Sequence, residues 1–284
     1  MAKKWCLIGM ADDAGVHNVG GRPGAGRGPM TFREFFYKMK GRKPVQDNLE
    51  DLGDTPVSEE LAKTHEQATA FIAKQHPAHL FSLIIGGGHD LVYPHLRGIK
   101  EGLQLSGTLG CINIDPHYDL RKDEPVFTSG SPFYAALKTG LLQPRNLVEF
   151  GIQDQSNTAE LHAYAEAEGV NVIWFENLRI QNTADVFEEE LRKLAAVTDA
   201  IVLSLDLDAL QAAFAPGVSA PAAEGFTPTE VIQMIRIAAL EPKVVSLGIY
   251  ELNPDFDQDF RTARLAATIA WHFADTRLKA MAVL

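Results

Sequence analysis

The stretch that most constrains this chain runs from Cys111 to Arg121 and reads Cys-Ile-Asn-Ile-Asp-Pro-His-Tyr-Asp-Leu-Arg. It begins with alternating β-branched apolar residues, which are typical of a buried strand. It ends in three potential metal ligands at alternate positions, Asp115, His117 and Asp119. If the backbone stays extended, side chains two residues apart point to the same side. Carboxylates held that close repel each other unless a cation lies between them, so this stretch indicates a metal site.

Strand-like and helix-like segments alternate along almost the whole chain. The predicted strands are 5–10, a weak one near 45–52, 80–85, 108–114, 146–152, 170–175, 200–207 and 243–250. The predicted helices are 31–40, 58–75 with Ser58 as N-cap, one beginning near Leu91, 131–140, 157–168, 184–196, 228–239 and 259–274. This alternation predicts parallel strands with right-handed crossovers and helices on both faces of the sheet. Because no repeat, low-complexity tract or linker interrupts it, residues 1–284 are expected to form a single three-layer α/β/α domain.

Composition narrows the partners and the compartment. No apolar run reaches the roughly 18 residues that a membrane span needs, and a net charge of −11 argues against a nucleic-acid partner. The first ten residues lack the apolar region and cleavage site of a signal peptide, so we expect a first strand there. Cys6 and Cys111 lie in apolar strand-like segments, and two buried thiols are typical of a reducing cytoplasm. The oligomeric state stays open, and a homo-oligomer is compatible with the sequence.

Ligand-type residues follow several of the predicted strands. His89 comes after the strand at 80–85, Asp206 and Asp208 come at the end of the strand at 200–207, and Glu251 comes after 243–250. Open parallel sheets bind ligands at the carboxyl ends of their strands, so these side chains should converge. Taken alone, an Asp-x-Asp pair often caps a turn, and a histidine after glycines is often a turn residue. Few structural demands would place all of these residues at strand ends together.

Four carboxylates and two imidazoles make up the predicted metal-binding set. Its members are His89, Asp115, His117, Asp119, Asp206 and Asp208. The high share of carboxylates favours manganese, and the absence of cysteine disfavours a structural zinc site. Six ligands exceed what one catalytic metal ion requires, so we expect two ions about 3.5 Å apart.

Three segments resemble the metal-binding signatures of the ureohydrolases, the family of arginase, agmatinase and formimidoylglutamase. They are Gly87-Gly88-His89-Asp90, Asp115-Pro116-His117-Tyr118-Asp119 and Ser204-Leu205-Asp206-Leu207-Asp208. The likeness covers nearly the whole chain and implies an arginase-like α/β domain around an eight-stranded, mainly parallel sheet. It also implies two Mn²⁺ ions, one held by His89, Asp115, Asp119 and Asp206 and the other by Asp115, His117, Asp206 and Asp208. In this family a bridging hydroxide, oriented by the residue equivalent to Asp119, attacks an amidine-type carbon.

The same resemblance implies a catalytic role for Glu251. The family places a glutamate here that pairs with the cationic group of the substrate, and a carboxylate matches a planar fork of N–H groups. The alternative is a surface glutamate at a strand end. Asp119 and Glu251 are therefore the predicted catalytic residues.

The substrate is indicated by Arg121 and by the segment from Thr128 to Phe133. Arginases have a neutral asparagine near Arg121, whereas a guanidinium here would suit a substrate carboxylate; the alternative is that it points to solvent. The segment Thr-Ser-Gly-Ser-Pro-Phe resembles formimidoylglutamases and lacks the histidine found in arginases and agmatinases. Ser129 and Ser131 are the predicted substrate contacts within it. Arg22 and Arg27 are weaker candidates, more simply explained as solvated loop charges.

The predicted reaction is hydrolysis of N-formimidoyl-L-glutamate to L-glutamate and formamide, a step of histidine degradation. The predicted partner is thus a small amidine that carries carboxylate groups. The first alternative is an amidinohydrolase of a guanidino acid, of the arginase, guanidinobutyrase or agmatinase type, which releases urea. The second is a non-catalytic member with the same fold, which the intact ligand set disfavours.

Overall fold

An eight-stranded sheet forms the centre of the protein in the computed structural model, which describes residues 4–282. The strands are β1 Trp5–Met10, β2 Leu49–Asp54, β3 Ser82–Gly86, β4 Leu109–Ile114, β5 Leu147–Ile152, β6 Asn171–Trp174, β7 Ala200–Asp206 and β8 Val244–Tyr250. Their order is β2-β1-β3-β8-β7-β4-β5-β6, and every neighbouring pair is parallel. The predicted eight-stranded parallel sheet is confirmed.

Helices cover both faces of this sheet. They are α1 Ala14–Asn18, α2 Gly28–Phe36, α3 Leu61–Gln75, α4 Val92–Gly102, α5 Pro132–Lys138, α6 Ala159–Glu168, α7 Phe175–Leu178, α8 Thr183–Val197, α9 Pro228–Leu240 and α10 Arg261–Ala282. The apolar sides of α2, α8, α9 and α10 pack on one face of the sheet, and those of α3 to α6 pack on the other. This is the predicted three-layer α/β/α arrangement. Apart from the edge strands β2 and β6, the strands are buried on both faces, which explains why they read as nearly continuous apolar runs.

Four strands at the centre of the sheet matter most for the site. β3, β8, β7 and β4 are consecutive neighbours, although they are far apart in sequence. Their registers align Ile85 with Ile249 and Leu205 with both Ile249 and Ile114. The four carboxyl ends therefore lie side by side at one edge of the sheet.

Some boundaries differ from the predictions for physical reasons. The weak strand near 45–52 is real but begins at Leu49, because Val45–Asn48 form a 3₁₀ turn; β2 is an edge strand with mostly exposed side chains, so its apolar signal is weak. The prediction that Ser58 caps α3 is wrong, because that helix begins at Leu61. Ser58 instead bonds through its backbone to the hydroxyl of Thr64.

Two further findings concern membrane-spanning helices and the two cysteines. Within residues 4–282, no helix is long and apolar enough to cross a membrane. Cys6 and Cys111 are both buried free thiols, as expected. Residues 1–3, part of the segment tested for a signal peptide, lie outside the described part of the chain.

Candidate metal centre

Each of the four central strands is followed by one buried candidate residue. His89 lies in a 3₁₀ turn after β3, Asp115 follows β4, Asp206 is the last residue of β7, and Glu251 follows β8. All four are at most 4% exposed. The parallel sheet thus brings together residues that are up to 162 positions apart in sequence.

Three carboxylates converge on one nitrogen of His89. Its Nδ1 atom lies 3.0 Å from Oδ2 of Asp115, 2.9 Å from Oδ2 of Asp119 and 3.2 Å from Oδ2 of Asp206. Among residues 4–282, Nδ1 nevertheless has no hydrogen-bond partner of suitable geometry, although it is buried. A buried polar atom without a partner is costly. Ligands arranged around an ion produce this convergence, because they point at the ion and not at one another.

A second cluster shares Asp115 with the first. Nδ1 of His117 lies 3.3 Å from Oδ1 of Asp115 and 3.5 Å from Oδ2 of Asp208. Ligand atoms from Asp115, His117 and Asp208 all lie within 4.8 Å of one another, and the same holds for His89, Asp115 and Asp119. These two adjoining groups share Asp115 and contain five of the six predicted ligands, and the sixth, Asp206, lies against His89 of the first group.

Asp115 and Asp206 use their two carboxylate oxygens in the same way. Oδ1 of Asp115 accepts the backbone N–H of His117 at 2.7 Å, and Oδ1 of Asp206 accepts the backbone N–H of Asp208 at 2.8 Å. In both, Oδ2 faces His89. The turn-capping role considered for the Asp-x-Asp pair is therefore real, but it occupies only one oxygen of each carboxylate.

The electrostatics of this cluster call for a cation. Burial, followed by the charges of Asp206 and Asp115, raises the pKa of Asp208 well above its usual range. Burial and the charge of Asp115 raise the pKa of Asp119 to about 6. Burial alone would lower the pKa of His89, but the surrounding carboxylates outweigh it and raise this pKa well above the ordinary value. A donor set of carboxylate oxygens and imidazole nitrogens fits divalent manganese, iron or zinc.

Two of the site residues have strained backbones. Asp119 has φ of 49° and Glu251 has φ of 65°, values that side-chain-bearing residues rarely adopt. Such residues cost of order 1–3 kcal/mol each and persist where the surrounding structure holds them in place. Both are predicted catalytic residues, and in this backbone conformation the side chains of both line the same cavity.

The orientation of Glu251 is fixed by the turn that carries His89. Its Oε1 atom accepts the backbone N–H of His89 at 2.9 Å, and its own N–H donates to the carbonyl of Gly87 at 2.8 Å. The other oxygen, Oε2, is buried without a hydrogen-bond partner. Burial, followed by the charge of Asp206, raises the pKa of Glu251 well above its usual range. A cationic N–H group of a ligand would satisfy this free oxygen.

A cavity of about 280 Å³ opens above the two clusters. Its lining residues are Val19, Gly20, Gly21, Arg22, His89, His117, Asp119, Arg121, Ser129, Gly130, Asp206, Asp208, Ser219, Ala220 and Glu251. Carboxylates and imidazoles form its floor, and Arg121 is exposed on its wall. Within residues 4–282, the guanidinium of Arg121 has no hydrogen bond or ion pair, so it can accept a ligand carboxylate.

Ser129 lies on the cavity wall, but Ser131 does not. Ser131 is completely buried, and its hydroxyl donates to the carbonyl of Lys122 and contacts the hydroxyl of Thr128 at 2.9 Å. It holds the 122–131 loop together and has no direct path to a ligand. The structure therefore contradicts Ser131 as a substrate contact, because spacing alone cannot tell a loop-bracing hydroxyl from an exposed one.

The two arginines of the glycine-rich loop are engaged elsewhere. Arg22 reaches the cavity, but it donates to the carbonyls of Val218 and Ser219 and stacks on the ring of Phe256. Arg27 pairs with Asp255. Arg22 is therefore not the solvated loop charge expected from the sequence, whereas Arg27 is exposed to solvent, as expected.

Ser204 is a functional candidate that the sequence reasoning did not assign. Its hydroxyl lies 2.9 Å from Nε2 of His89 and so orients that imidazole. The available signal was its position in the metal-binding segment, two residues before Asp206 on the same side of the strand.

Comparisons with known proteins agree with this geometry. A model of the arginase family matches residues 3–274. A formimidoylglutamase of Macrococcus caseolyticus is 36% identical over 267 residues, which cover 93% of this chain and 82% of the relative.

Solved structures give the same result. Formiminoglutamase of Trypanosoma cruzi with Mn²⁺ superposes with a TM-score of 0.88 at 28% identity, covering 96% of this chain and 93% of that one. Formimidoylglutamase of Bacillus subtilis superposes with a TM-score of 0.89 at 26% identity, covering 98% and 88%. The predicted resemblance is confirmed, and the chain belongs to the arginase family.

Proposed function

We propose that this chain hydrolyses N-formimidoyl-L-glutamate to L-glutamate and formamide. The proposal rests on the positions of two groups of opposite charge in the cavity. The free Oε2 of Glu251 lies on its floor, and the guanidinium of Arg121, which is unpaired within residues 4–282, lies on its wall. This substrate has a cationic amidine at one end and two carboxylates at the other. The relatives named above as formimidoylglutamases support the same assignment.

We further propose that two Mn²⁺ ions occupy the metal centre. His89, Asp115, Asp119 and Asp206 would hold one ion, and Asp115, His117, Asp206 and Asp208 the other. The orphaned Nδ1 of His89 and Oδ1 of Asp208 support this division, since each lacks any other partner. The manganese in the formiminoglutamase of T. cruzi supports the choice of ion. When bound, the ions would supply hydroxide near neutral pH, because a divalent metal ion lowers the pKa of a water that it binds.

The protein's own side chains then align and protonate the substrate. Glu251 accepts an N–H of the amidine through Oε2, and Arg121 donates to a carboxylate at the far end. Asp119 orients the attacking water and takes its proton. The water oxygen bonds to the amidine carbon, and the bond from that carbon to the glutamate nitrogen breaks. Asp119 then returns the proton to the leaving amine.

Three wider proposals complete this assignment. Residues 1–284 form one domain, because a single sheet connects strands from Trp5 to Tyr250; a single cooperative unfolding transition would support this. The protein works in the cytoplasm, which the two buried free thiols favour. A homo-oligomer is compatible with this function, and sedimentation of the purified protein tests it.

The decisive experiment measures formamide and urea over a panel of amidines with Mn²⁺ supplied. We expect formamide from N-formimidoyl-L-glutamate and no urea from guanidinobutyrate, arginine or agmatine. Asp115→Ala serves as the inactive control, since Asp115 belongs to both ligand groups. Urea release from a guanidino acid, without formamide from formimidoylglutamate, would overturn the proposal in favour of an amidinohydrolase.

A further inference from the structure

A buried chain of polar side chains links helix α4 to strand β8 behind the metal centre. The hydroxyl of Tyr250 lies 2.7 Å from Nδ1 of His95, and Nε2 of His95 lies 2.7 Å from Oγ of Ser246. Oγ of Ser246 then donates to the carbonyl of Ser82 at 2.9 Å. The side chains of Tyr250, His95 and Ser246 are completely buried.

The direction of every hydrogen bond in this chain is determined. Because Ser246 donates its only hydrogen to a carbonyl, it must accept from Nε2–H of His95. Nδ1 of a neutral imidazole is then an acceptor, and the hydroxyl of Tyr250 must donate to it. Burial keeps His95 neutral by lowering its pKa to about 3. Each of the three hydrogens in this chain has one acceptor, so the chain has a single arrangement.

This series of hydrogen bonds fixes the position of the Tyr250 ring. The ring lies directly over Gly86 of β3 and Gly248 of β8, where any Cβ atom would collide with it. It also packs against the imidazole of His89, with 5.0 Å between ring centroids. The ring therefore contacts β3 and β8, two of the four strands that lead into the cavity floor.

Glu251 follows Tyr250 directly and has a strained backbone. Its φ of 65° is maintained by bonds from its N–H to Gly87 and from the N–H of His89 to its Oε1. A strained residue keeps its conformation only where its neighbours hold it. Tyr250 is the covalent neighbour, and its far end is anchored to α4 through His95.

We propose that Tyr250 and His95 are positioning residues that hold Glu251 in place to receive the amidine of the substrate. This inference rests on the proposed function, but it concerns residues that do not touch the substrate. Each hydrogen bond in the chain transmits the position of α4 to the end of β8. Loss of the hydroxyl of Tyr250 should free the ring, and with it the backbone of Glu251.

The test compares Tyr250→Phe with Ser82→Ala. Phenylalanine keeps the ring and removes only the hydroxyl. Ser82 provides a matched control, since its buried hydroxyl also bonds an imidazole, that of His76 at 2.7 Å, but takes no part in the chain to Tyr250. Ser82→Ala leaves the carbonyl that Ser246 uses intact. Tyr250→Phe loses the buried bond to His95, and Ser82→Ala loses the buried contacts of its hydroxyl with His76 and Cys6, so both should melt at a lower temperature.

Hydrogen exchange followed by mass spectrometry gives a readout that does not depend on activity. In Tyr250→Phe, the amides of His89 and Glu251 should exchange about tenfold faster than in the wild type. In Ser82→Ala, their exchange should be unchanged. Titration calorimetry of the metal-free proteins with Mn²⁺ should give the same affinity for both variants as for the wild type, because neither deleted hydroxyl bonds a candidate metal ligand.

Kinetics provides the second readout. For formamide release, kcat/KM should fall about tenfold in Tyr250→Phe and about threefold in Ser246→Ala, and it should stay within twofold of wild type in Ser82→Ala. Equal exchange in Tyr250→Phe and wild type, or equal exchange and activity changes in Tyr250→Phe and Ser82→Ala, would overturn the inference. A wild type that releases no formamide would overturn the proposed function alone, and the exchange data would still decide this inference.

Discussion

Nε2 of His89 lies 2.9 Å from Oγ of Ser204, and this contact determines which nitrogen of the imidazole faces the carboxylates. With Nε2 protonated and donating to Ser204, Nδ1 presents a lone pair to the cavity floor. Metal-binding histidines commonly use such a hydrogen bond to fix both tautomer and ring orientation. The serine also lies on β7 two residues before Asp206, so one strand positions two neighbouring groups of the centre.

Ser204→Ala should therefore weaken metal binding without removing a ligand. Loss of a partner of this kind typically costs 10- to 100-fold in metal affinity, and we expect roughly this loss for one of two Mn²⁺ sites. Titration calorimetry of the metal-free protein measures it. Ser82→Ala is the control, since Ser82 is an equally buried serine that bonds His76 and no metal ligand. Equal affinities in the wild type and Ser204→Ala would show that this bond does not tune the site.

Arg121→Gln should raise KM for N-formimidoyl-L-glutamate at constant metal content. The stem of Arg121 passes over Gly130, and the guanidinium reaches the cavity. A hydrogen bond to a charged group contributes about 1.5–3 kcal/mol, so KM should rise by roughly 10- to 100-fold.

Lys122→Gln is the matched control for Arg121→Gln. It removes one positive charge from the next residue in the chain, which is exposed and does not line the cavity. We expect its KM to stay within twofold of the wild type. Similar KM values for the two variants would mean that Arg121 contributes only its positive charge and makes no direct bond to the substrate.

The metal centre could be predicted from sequence because each ligand follows a recognisable strand. A parallel sheet places all carboxyl ends at one edge, so the segments around His89, Asp115 and Asp206 could be brought together without coordinates. Edge strand β2 and the beginning of α3 were harder to locate. The side chains of β2 are mostly exposed, so its apolar signal is weak, and the hydrogen bond between Ser58 and Thr64 leaves Ser58 outside the first turn of α3.

The roles of the serines and of His95 could not be predicted in the same way. Ser131 and Ser129 lie two residues apart, yet one braces a loop and the other lines the cavity. His95 lies in a helix-like segment of the sequence, which by itself indicates no role for it. Only the packing of α4 against β8 brings it to Tyr250. Such partners depend on long-range contacts that no short motif encodes.

Asp51 should make stability depend on pH through its contacts with helix α2. Arg33 donates to both oxygens of Asp51, at 2.9 and 3.1 Å, and the hydroxyl of Tyr37 donates at 2.7 Å. Burial alone would raise the pKa of Asp51, but these bonds outweigh it and hold the pKa below its usual range. A depressed pKa stabilises the fold above the unfolded-state value of about 3.9 and loses this effect as pH falls further.

Asp51→Asn should therefore lower the free energy of unfolding at pH 7 by no more than about 1 kcal/mol, because the pair is partly exposed. The difference from the wild type should shrink as pH falls below about 4. Urea unfolding of the metal-free proteins at several pH values measures both. Asp47→Asn is the control, since Asp47 is exposed. A difference that persists unchanged at low pH would rule out the ionised carboxylate as its source.

Metal binding should release protons and weaken as pH falls. Burial alone would lower the pKa of His117, but its bond to Asp115 and the nearby carboxylates raise it to about 9 in the metal-free protein. Since an imidazole must lose its proton to bind a metal ion, His117 is charged at pH 7 and competes with the metal. The apparent affinity for Mn²⁺ should fall by about tenfold per pH unit for each proton released.

Calorimetric titrations in two buffers of different ionisation enthalpy measure this proton release directly. We expect at least one proton per protein at pH 7 and fewer as pH approaches 9, where His117 is already losing its proton. His117→Asn provides the comparison, because asparagine keeps a polar side chain and carries no titrating group. Its proton release at pH 7 should be smaller by about one. Identical heats in both buffers for the wild type would mean that no proton is released, and hence that the carboxylates do not hold His117 protonated.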